Sequence, residues 1–304
     1  MSTATDSTGP LVTATLVCWN HRRFVCQAVL SALEQTYPHV ELIVIDNGST
    51  DGSQDELRAL RDQHGFTLIL QDNVGLVRAL NQALEIARGR YIACLATDDV
   101  WLPEKTARQV ALLEANPDVH VASGQIACID AAGRPLDLKV VVRPGDVSFA
   151  DLMTYGCFVY GPTTMCRVET LRSIGGYDES LRIEDYSLAL KLTHEGMRVV
   201  AMPDVLTLYR RHGNNWTAGS IDADLWAIGQ RYRGAPEYAA FYRRNFPLAF
   251  WYLVKEGRKR DAWRLLRDEP ICWTWSNLGR GLMRMLIPYG VVRSYRALRG
   301  KASA

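Results

Sequence analysis

Residues 11–51, LVTATLVCWNHRRFVCQAVLSALEQTYPHVELIVIDNGSTD, decide the fold. LVTATLVCWN is a run rich in β-branched residues, as expected of a strand buried on both faces. FVCQAVLSALEQ has apolar residues at helical spacing, and ELIVID is a second apolar run that ends in a polar turn cluster. A helix of ten or more residues between two such strands reads as a crossover, because parallel strands cannot be joined by a tight turn. The unit is therefore β-α-β.

The alternation continues outward. SQDELRALRDQHG, FTLILQ, VGLVRALNQALEIARG and RYIACLA read as helix, strand, helix and strand, with Gly89 expected to stop the second of these helices. From Val119 to Arg211 come the strand-like VHVASGQIACID, PTTMCRV, VVAMP and VLTLYRR with the helix-like DYSLALKLTHEG, a continuation of the same sheet. After His212 the pattern is helical and aromatic. The expected organisation is a flexible leader over 1–10, an α/β domain with a mostly parallel central sheet flanked by helices over 11–215, and a helical, basic and aromatic extension over 216–304.

The 304 residues are 48% hydrophobic and 22% charged, an ordinary globular balance without repeats or low-complexity tracts. MSTATDSTGP lacks the basic and apolar regions of a signal peptide, and no apolar run reaches the roughly 18 residues that a bilayer span needs. A cytoplasmic location, at the inner face of the membrane if the tail docks there, is expected. Seven cysteines scattered among apolar stretches, without a C-x-x-C pair, read as small buried hydrophobes rather than zinc ligands or a nucleophile. Asn215-Trp216-Thr217 fits a glycosylation acceptor pattern but has no secretion signal beside it.

Charge is unevenly distributed. From Arg231 onward there are 16 Lys and Arg against 5 Asp and Glu, and before it 19 against 28. NLGRGLMRMLIPYGVVRSYRALRGK, broken at Pro288, reads as two short amphipathic helices carrying Arg280, Arg284, Arg293, Arg296 and Arg299. These would make peripheral contact with an anionic membrane, or else pack on the α/β domain. No recognition motif for nucleic acid accompanies the charge, so no nucleic-acid partner is expected.

In open sheets of this kind ligands gather at the carboxyl ends of the strands. Those ends carry Trp19-Asn20, the run from Asp46 to Asp51, Asp72-Asn73, and Asp98-Asp99. No G-x-G-x-x-G follows the first strand and no P-loop motif occurs, which disfavours a dinucleotide dehydrogenase and a P-loop enzyme. Two adjacent carboxylates at a strand end suit a divalent cation, magnesium or manganese, that binds oxygen donors and substrate phosphate. The alternative is a capped turn in which Asp99 starts a helix with Pro103 in an early position.

CWNHRRF after the first strand, then ELIVIDNGSTDGS, DNVGLVRALNQALEIARGRYIACLATDD, SIGGYDESLRIEDYSLALKL and LYRRHGNN resemble family 2 glycosyltransferases of the GT-A fold. The resemblance covers roughly 11–215 and implies transfer of a sugar from a nucleotide-diphosphate donor, a UDP- or dTDP-sugar, to a hydroxyl of a glycan or lipid-linked acceptor. It implies a nucleotide pocket with Trp19, Asn20 and Asp46, and with Arg78 nearby. It also implies a metal site with Asp99 as direct ligand, Asp98 facing ribose or metal, and His212 completing it. Ala96 departs from the family by standing where many members carry a first aspartate.

The resemblance makes Asp185 the catalytic base of an inverting transfer, taking the proton of the acceptor hydroxyl. Simpler structural readings stand beside these: Trp19 as core, Asp46 as a turn cap, Arg78 as a surface residue, and Glu184 with Asp185 as acidic residues at a helix start. Asp178 reads as a turn residue. Two rival functions also remain at this level, a sugar nucleotidyltransferase and a catalytically degenerate GT-A-like protein that binds carbohydrate or a partner. The first would need a Gly-rich basic loop where this chain has CWNHRRF.

Overall fold

A computed structural model describes residues 9–138, 140, 143–213, 221–255 and 257–268. Residues 1–8 of the expected leader 1–10, Asn215-Trp216-Thr217 and the arginine-bearing stretch 277–301 lie outside the described residues. Two compact units emerge, one within Met1–Leu152 and Gly156–Asn215 and the other within Met153–Tyr155 and Trp216–Ala304.

The first unit opens as the sequence pattern predicts: β1 (Val12–Cys18), α1 (Arg22–Leu33), β2 (Val40–Asn47), α2 (Ser53–His64), β3 (Thr67–Gln71), α3 (Leu76–Ile86) and β4 (Tyr91–Ala96). All seven residues of β1 are buried, and α1 buries Val25, Ala28, Val29 and Ala32, the i, i+3, i+4, i+7 stripe of a helix lying on a sheet. β1 pairs parallel with both β2 and β4, and β2 pairs parallel with β3. This core of Leu16, Val29, Val44, Leu57 and Leu95 extends to Trp101 and Val110.

After β4 come β5 (Val100–Trp101), α4 (Lys105–Ala115), β6 (Val119–Asp130), β7 (Gly145–Val147) and α5 (Phe149–Tyr155). Apart from Met153–Tyr155 of α5, these belong to the first unit, which a 3-10 turn (Gly161–Thr163), β8 (Met165–Arg167), α6 (Val168–Ser173), α7 (Glu184–His194) and β9 (Arg198–Arg211) complete. Among the described residues one sheet runs β3-β2-β1-β4-β8-β6-β9-β5, with β7 on β9. The long ladders are parallel, while β8, β5 and β7 pair antiparallel.

Local expectations change at four places. The helix expected to stop at Gly89 ends at Ile86, and Gly89 serves close packing instead: a Cβ there would lie 2.6 Å from Thr13 N and 2.7 Å from Tyr91 O. VVAMP and VLTLYRR are one strand, β9, whose pairing with β6 jumps from Ser123↔Ala201 to Gln125↔Val205 around Pro203. Proline lacks the ladder N–H, and the irregularity accommodates it. Asp99 starts no helix, because Val100 and Trp101 pair with β9 and α4 begins at Lys105, after Pro103. PTTMCRV is split between the 3-10 turn and the three-residue β8.

The second unit contains α8 (Ile221–Gln230), α9 (Tyr238–Lys255) and α10 (Lys259–Asp268). Its core is Tyr242, Phe246, Phe250, Ala262 and Leu265, with Trp226 edge-on to Tyr242 at 5.3 Å. No helix among the described residues is long and apolar enough to cross a membrane.

Gly89→Ala tests the close packing of β1 against the start of β4. Its methyl would meet the backbone of Thr13 and Tyr91 and the Thr13 hydroxyl, so a loss of about 1–3 kcal/mol is expected in urea unfolding. Unchanged stability would contradict this packing.

Candidate active site

The site is built where β1, β2, β4 and β9 end. Beyond β1 the chain turns at Asn20, which has φ +58°, a left-handed conformation that asparagine tolerates better than most residues. Asn20 N donates to Ser49 Oγ at 2.8 Å and its Oδ1 accepts from Thr50 N at 2.8 Å, which ties the ends of β1 and β2 together. Trp19 is half exposed and is not a core residue. Asp46, in register with Cys18, is fully buried. Its Oδ1 accepts from Ser49 N at 2.9 Å and Gln54 Nε2 at 2.8 Å, whereas its Oδ2 has no partner. An unmatched buried carboxylate oxygen is costly, so a ligand donor reaching it would be strongly favoured.

The adjacent acids at the end of β4 point to different places. Asp99 is 1% exposed and turns inward, its Oδ1 accepting from Arg210 N at 2.8 Å and its Oδ2 unpartnered. Burial and the charge of Asp98 push its carboxyl well above the usual carboxylate range. The Arg210 side chain fills the space behind the pair, donating to Asp98 O at 2.8 Å, Asp130 O at 3.1 Å and Gln27 Oε1 at 2.7 Å. Its guanidinium also lies 4.8 Å from the centre of the Phe24 ring.

Asp98 faces the rim. Its Oδ2 is 3.0 Å from His212 Nε2 and its Oδ1 is 4.0 Å from His21 Nδ1. One donor atom from each of His21, Asp98 and His212 lies within 4.8 Å of the others, a group able to hold a metal ion. The structure thus unites the expected Asp98 and His212, leaves Asp99 outside the cluster, and adds His21, which sequence reasoning passed over. Its signal was position: His21 follows Trp19-Asn20 at the same strand end. Burial lowers the pKa of the His21 imidazole against the opposing pull of Asp98, which favours the neutral ring.

Asp185 sits in the first turn of α7, with Oδ2 accepting from Gly161 N at 3.0 Å and Oδ1 from Tyr186 N at 2.7 Å. Asp185 and its neighbour Glu184 are half-buried. Burial raises both carboxyls, and the Asp185 charge helps push Glu184 up to about 8. A Cβ on Gly161 would come 2.8 Å from Glu184 Oε1, so a larger residue there would shift the Glu184 carboxyl. Both acids line a cavity with Cys94, Gly161, Tyr177 and Leu188.

The turn that carries Gly161 is pinned from below. Trp101 Nε1 and Thr207 Oγ1 donate to Pro162 O at 2.8 and 2.9 Å, and Gln109 Nε2 donates to Thr163 O at 2.7 Å. Lys105, fully buried, donates to Gln109 Oε1 at 2.7 Å and stacks 4.1 Å from the Trp101 ring centre. Burial pulls its ammonium down to about 7.

Arg78 is exposed on α3 and bonded to Glu179 Oε2 at 3.2 Å. Asp178 closes a turn onto Ser180 N at 2.9 Å. Cys94 and Cys166 have thiols pushed up to about 12 by burial, which suits inert packing residues.

The model of glycosyl transferase family 2 matches residues 13–155 and that of glycosyl transferase family group 2 matches residues 91–292. TuaG of Bacillus subtilis (strain 168), provisionally described as a teichuronic acid biosynthesis glycosyltransferase, is 29% identical over 84% of this chain and 98% of that protein. WfaP of Escherichia coli, a UDP-Glc:alpha-D-GlcNAc-diphosphoundecaprenol beta-1,3-glucosyltransferase, is 29% identical over 70% of this chain and 80% of its own length.

Among solved structures, S. aureus TarS 1-349 in complex with UDP-GlcNAc has TM-score 0.69 at 16% identity, covering 94% of this chain and 92% of that one. The mannosyltransferase PcManGT from Pyrobaculum calidifontis, in complex with GDP-Man and Mn2+, has TM-score 0.60 at 21% identity, covering 96% and 86%. These likenesses make the fold GT-A. With the family match spanning most of the strand-end rim and the sheet beneath it, the chain belongs to glycosyltransferase family 2.

Proposed function

We propose that this chain transfers a sugar from a UDP- or dTDP-sugar to a hydroxyl of a glycan or lipid-linked acceptor, with inversion, in the assembly of a surface polysaccharide or glycolipid. The observation that carries the donor side is the unpartnered Oδ2 of buried Asp46 beside the half-exposed Trp19. An indole face stacks a pyrimidine, and a carboxylate oxygen accepts from the imide N–H of uracil or thymine, which cytosine lacks. Asn20 holds the turn between these two groups. Arg78, engaged with Glu179, has the weakest support as a donor contact.

The residues fit a divalent cation. Asp98 and His212 present an oxygen and a nitrogen donor within reach of one another, and Asp99 Oδ2 is a buried carboxylate oxygen without a partner. Asp98 and His212 would hold the ion, with Asp99 behind them. When bound, manganese or magnesium neutralises the charge of the departing diphosphate.

Asp185 is the base in this reading. Hydrogen bonds donated by the backbone N–H groups of Gly161 and Tyr186 fix its carboxylate, and the spare lone pairs accept the proton of the acceptor hydroxyl as its oxygen displaces the diphosphate from C1. A single displacement of this kind inverts the anomeric centre. WfaP names a diphosphoundecaprenol-linked acceptor and TuaG a cell-surface polymer, which supports the acceptor class. Peripheral membrane contact through the basic tail belongs to the same reading. Within the described residues α10 carries Arg260, Arg264 and Arg267 with an exposed Trp263.

Calorimetry of the full chain with UDP, dTDP, CDP and GDP, with and without Mn2+, tests the donor assignment. UDP or dTDP should bind at least about tenfold more tightly than CDP, and Asp46→Asn should remove the preference. Failure of every diphosphate to bind would overturn it. Asp185→Asn should lower transfer by about 10²- to 10⁴-fold while UDP binding stays within about twofold; equal turnover of variant and wild type would remove Asp185 from the chemistry.

The protonation of Glu184 has a separate signature. Its folded pKa, about 8, lies above the ordinary 4.5, so its contribution to stability is present below about pH 4.5 and is lost as pH rises through about 8. Melting temperatures measured from about pH 5 to about pH 8 should therefore fall more for wild type than for Glu184→Gln. Parallel curves would show that Glu184 ionises normally in the folded chain.

A further inference from the structure

We infer that His21 is a direct ligand of the divalent cation, completing with Asp98 and His212 a site of two imidazoles and one carboxylate that selects Mn2+ over Mg2+. This rests on the proposed cation role of Asp98 and His212 and adds both a ligand and a metal preference to it.

The geometry supplies the first reason. Ligand atoms on an octahedral ion of this size lie about 3 Å apart when adjacent and about 4.3 Å apart when opposite. The three donor atoms, all within 4.8 Å of one another, need only small adjustments to reach that spacing. His21 Nδ1 stands 4.0 Å from Asp98 Oδ1, too far for a hydrogen bond, so the pair is held close without bonding directly.

The second reason is how the ring is held. Thr97 Oγ1 lies 2.8 Å from His21 Nδ1 and 3.3 Å from Val17 O, while His21 N donates to Ser53 Oγ at 3.1 Å. With the Thr97 hydroxyl donating to Val17 O, its oxygen accepts from Nδ1–H, an outer contact that orients the imidazole and leaves Nε2 as the nitrogen free to ligate. The His21 and His212 rings stand perpendicular with centroids 6.1 Å apart, and the His21 side chain keeps 23% exposure, so the cluster is open to solution. The guanidinium of Arg210 bonds the backbone carbonyl of Asp98, leaving the Asp98 carboxylate directed at the imidazoles.

The metal preference follows from the donors. Mg2+ is a hard ion that favours oxygen and gives up water reluctantly, whereas Mn2+ accepts imidazole nitrogen more readily and binds more tightly to mixed donor sets. Two nitrogens against one carboxylate move the balance toward Mn2+.

The full chain loaded with Mn2+ alone, without nucleotide, tests this by electron paramagnetic resonance. Pulsed spectra of wild type should show two coupled imidazole nitrogens, and His21→Gln should show one. Titration of the free Mn2+ signal should give about tenfold weaker binding in His21→Gln, with the affinity for Mg2+ little changed, so that Mg2+ competes more strongly than in wild type. His21→Asp supplies an oxygen donor in place of nitrogen. It should retain Mn2+ binding, lose one nitrogen coupling and let Mg2+ compete more strongly, so the test survives if the Gln variant does not fold.

If His21→Gln keeps both couplings and full affinity while Asp98→Asn loses the metal, His21 is not a ligand although the cation site stands. If neither substitution affects Mn2+ binding, the inference fails together with the cation reading beneath it.

Discussion

The rim depends on Arg210. A guanidinium that is almost wholly buried is tolerated only when its hydrogen-bonding capacity is met and negative charge lies near, and here three acceptors from separate parts of the chain meet it. Its own amide holds Asp99, so one residue near the end of β9 fastens the turn beyond β4 through both main chain and side chain. Two positions later stands His212, which reaches Asp98 because β9 is locked at that height. The positive partner that adjacent aspartates call for is thus supplied in part by the protein itself, while the Asp98 carboxylate lies against His212.

Below the candidate base the support is of a different kind. Trp101, Thr207 and Gln109 all bond to the turn that carries Gly161, and Lys105 bonds Gln109 from a fully buried position while stacking on the Trp101 ring. The indole beside the two aspartates is therefore a strut between the Asp98 end and the Asp185 end of the sheet. It carries the position of β5 into the amide that fixes Asp185.

Much of this was legible in the sequence. The run from Val12 to Ala96 alternates strand and helix in the observed order because each element carries its own period, and the strand-end rule located Trp19, Asp46 and Asp98 at one rim. What remained hidden depended on partners distant in sequence. Gly89 resembles a helix stop, and only the approach of Thr13 reveals why it must be small. Asp99 and Asp98 are equivalent as letters; the amide of Arg210, more than a hundred positions away, draws one inward. His21 carried no signal beyond its place after Trp19-Asn20, since its neighbours in the cluster, Asp98 and His212, follow the distant strands β4 and β9. The metal-facing role expected of Asp99 was implied by family resemblance, and the fold gives the rim position to Asp98.

Two carboxylate oxygens, Asp46 Oδ2 and Asp99 Oδ2, are shut away from water with nothing to accept from. Each such group weakens a fold by about 1–3 kcal/mol, a substantial part of the 5–15 kcal/mol by which a typical domain is stable. Whatever satisfies them binds the native chain and not the unfolded one, so its free energy of association is added to folding by mass action. A ligand that offered a donor to either oxygen would therefore raise the melting temperature of the chain in step with its own concentration.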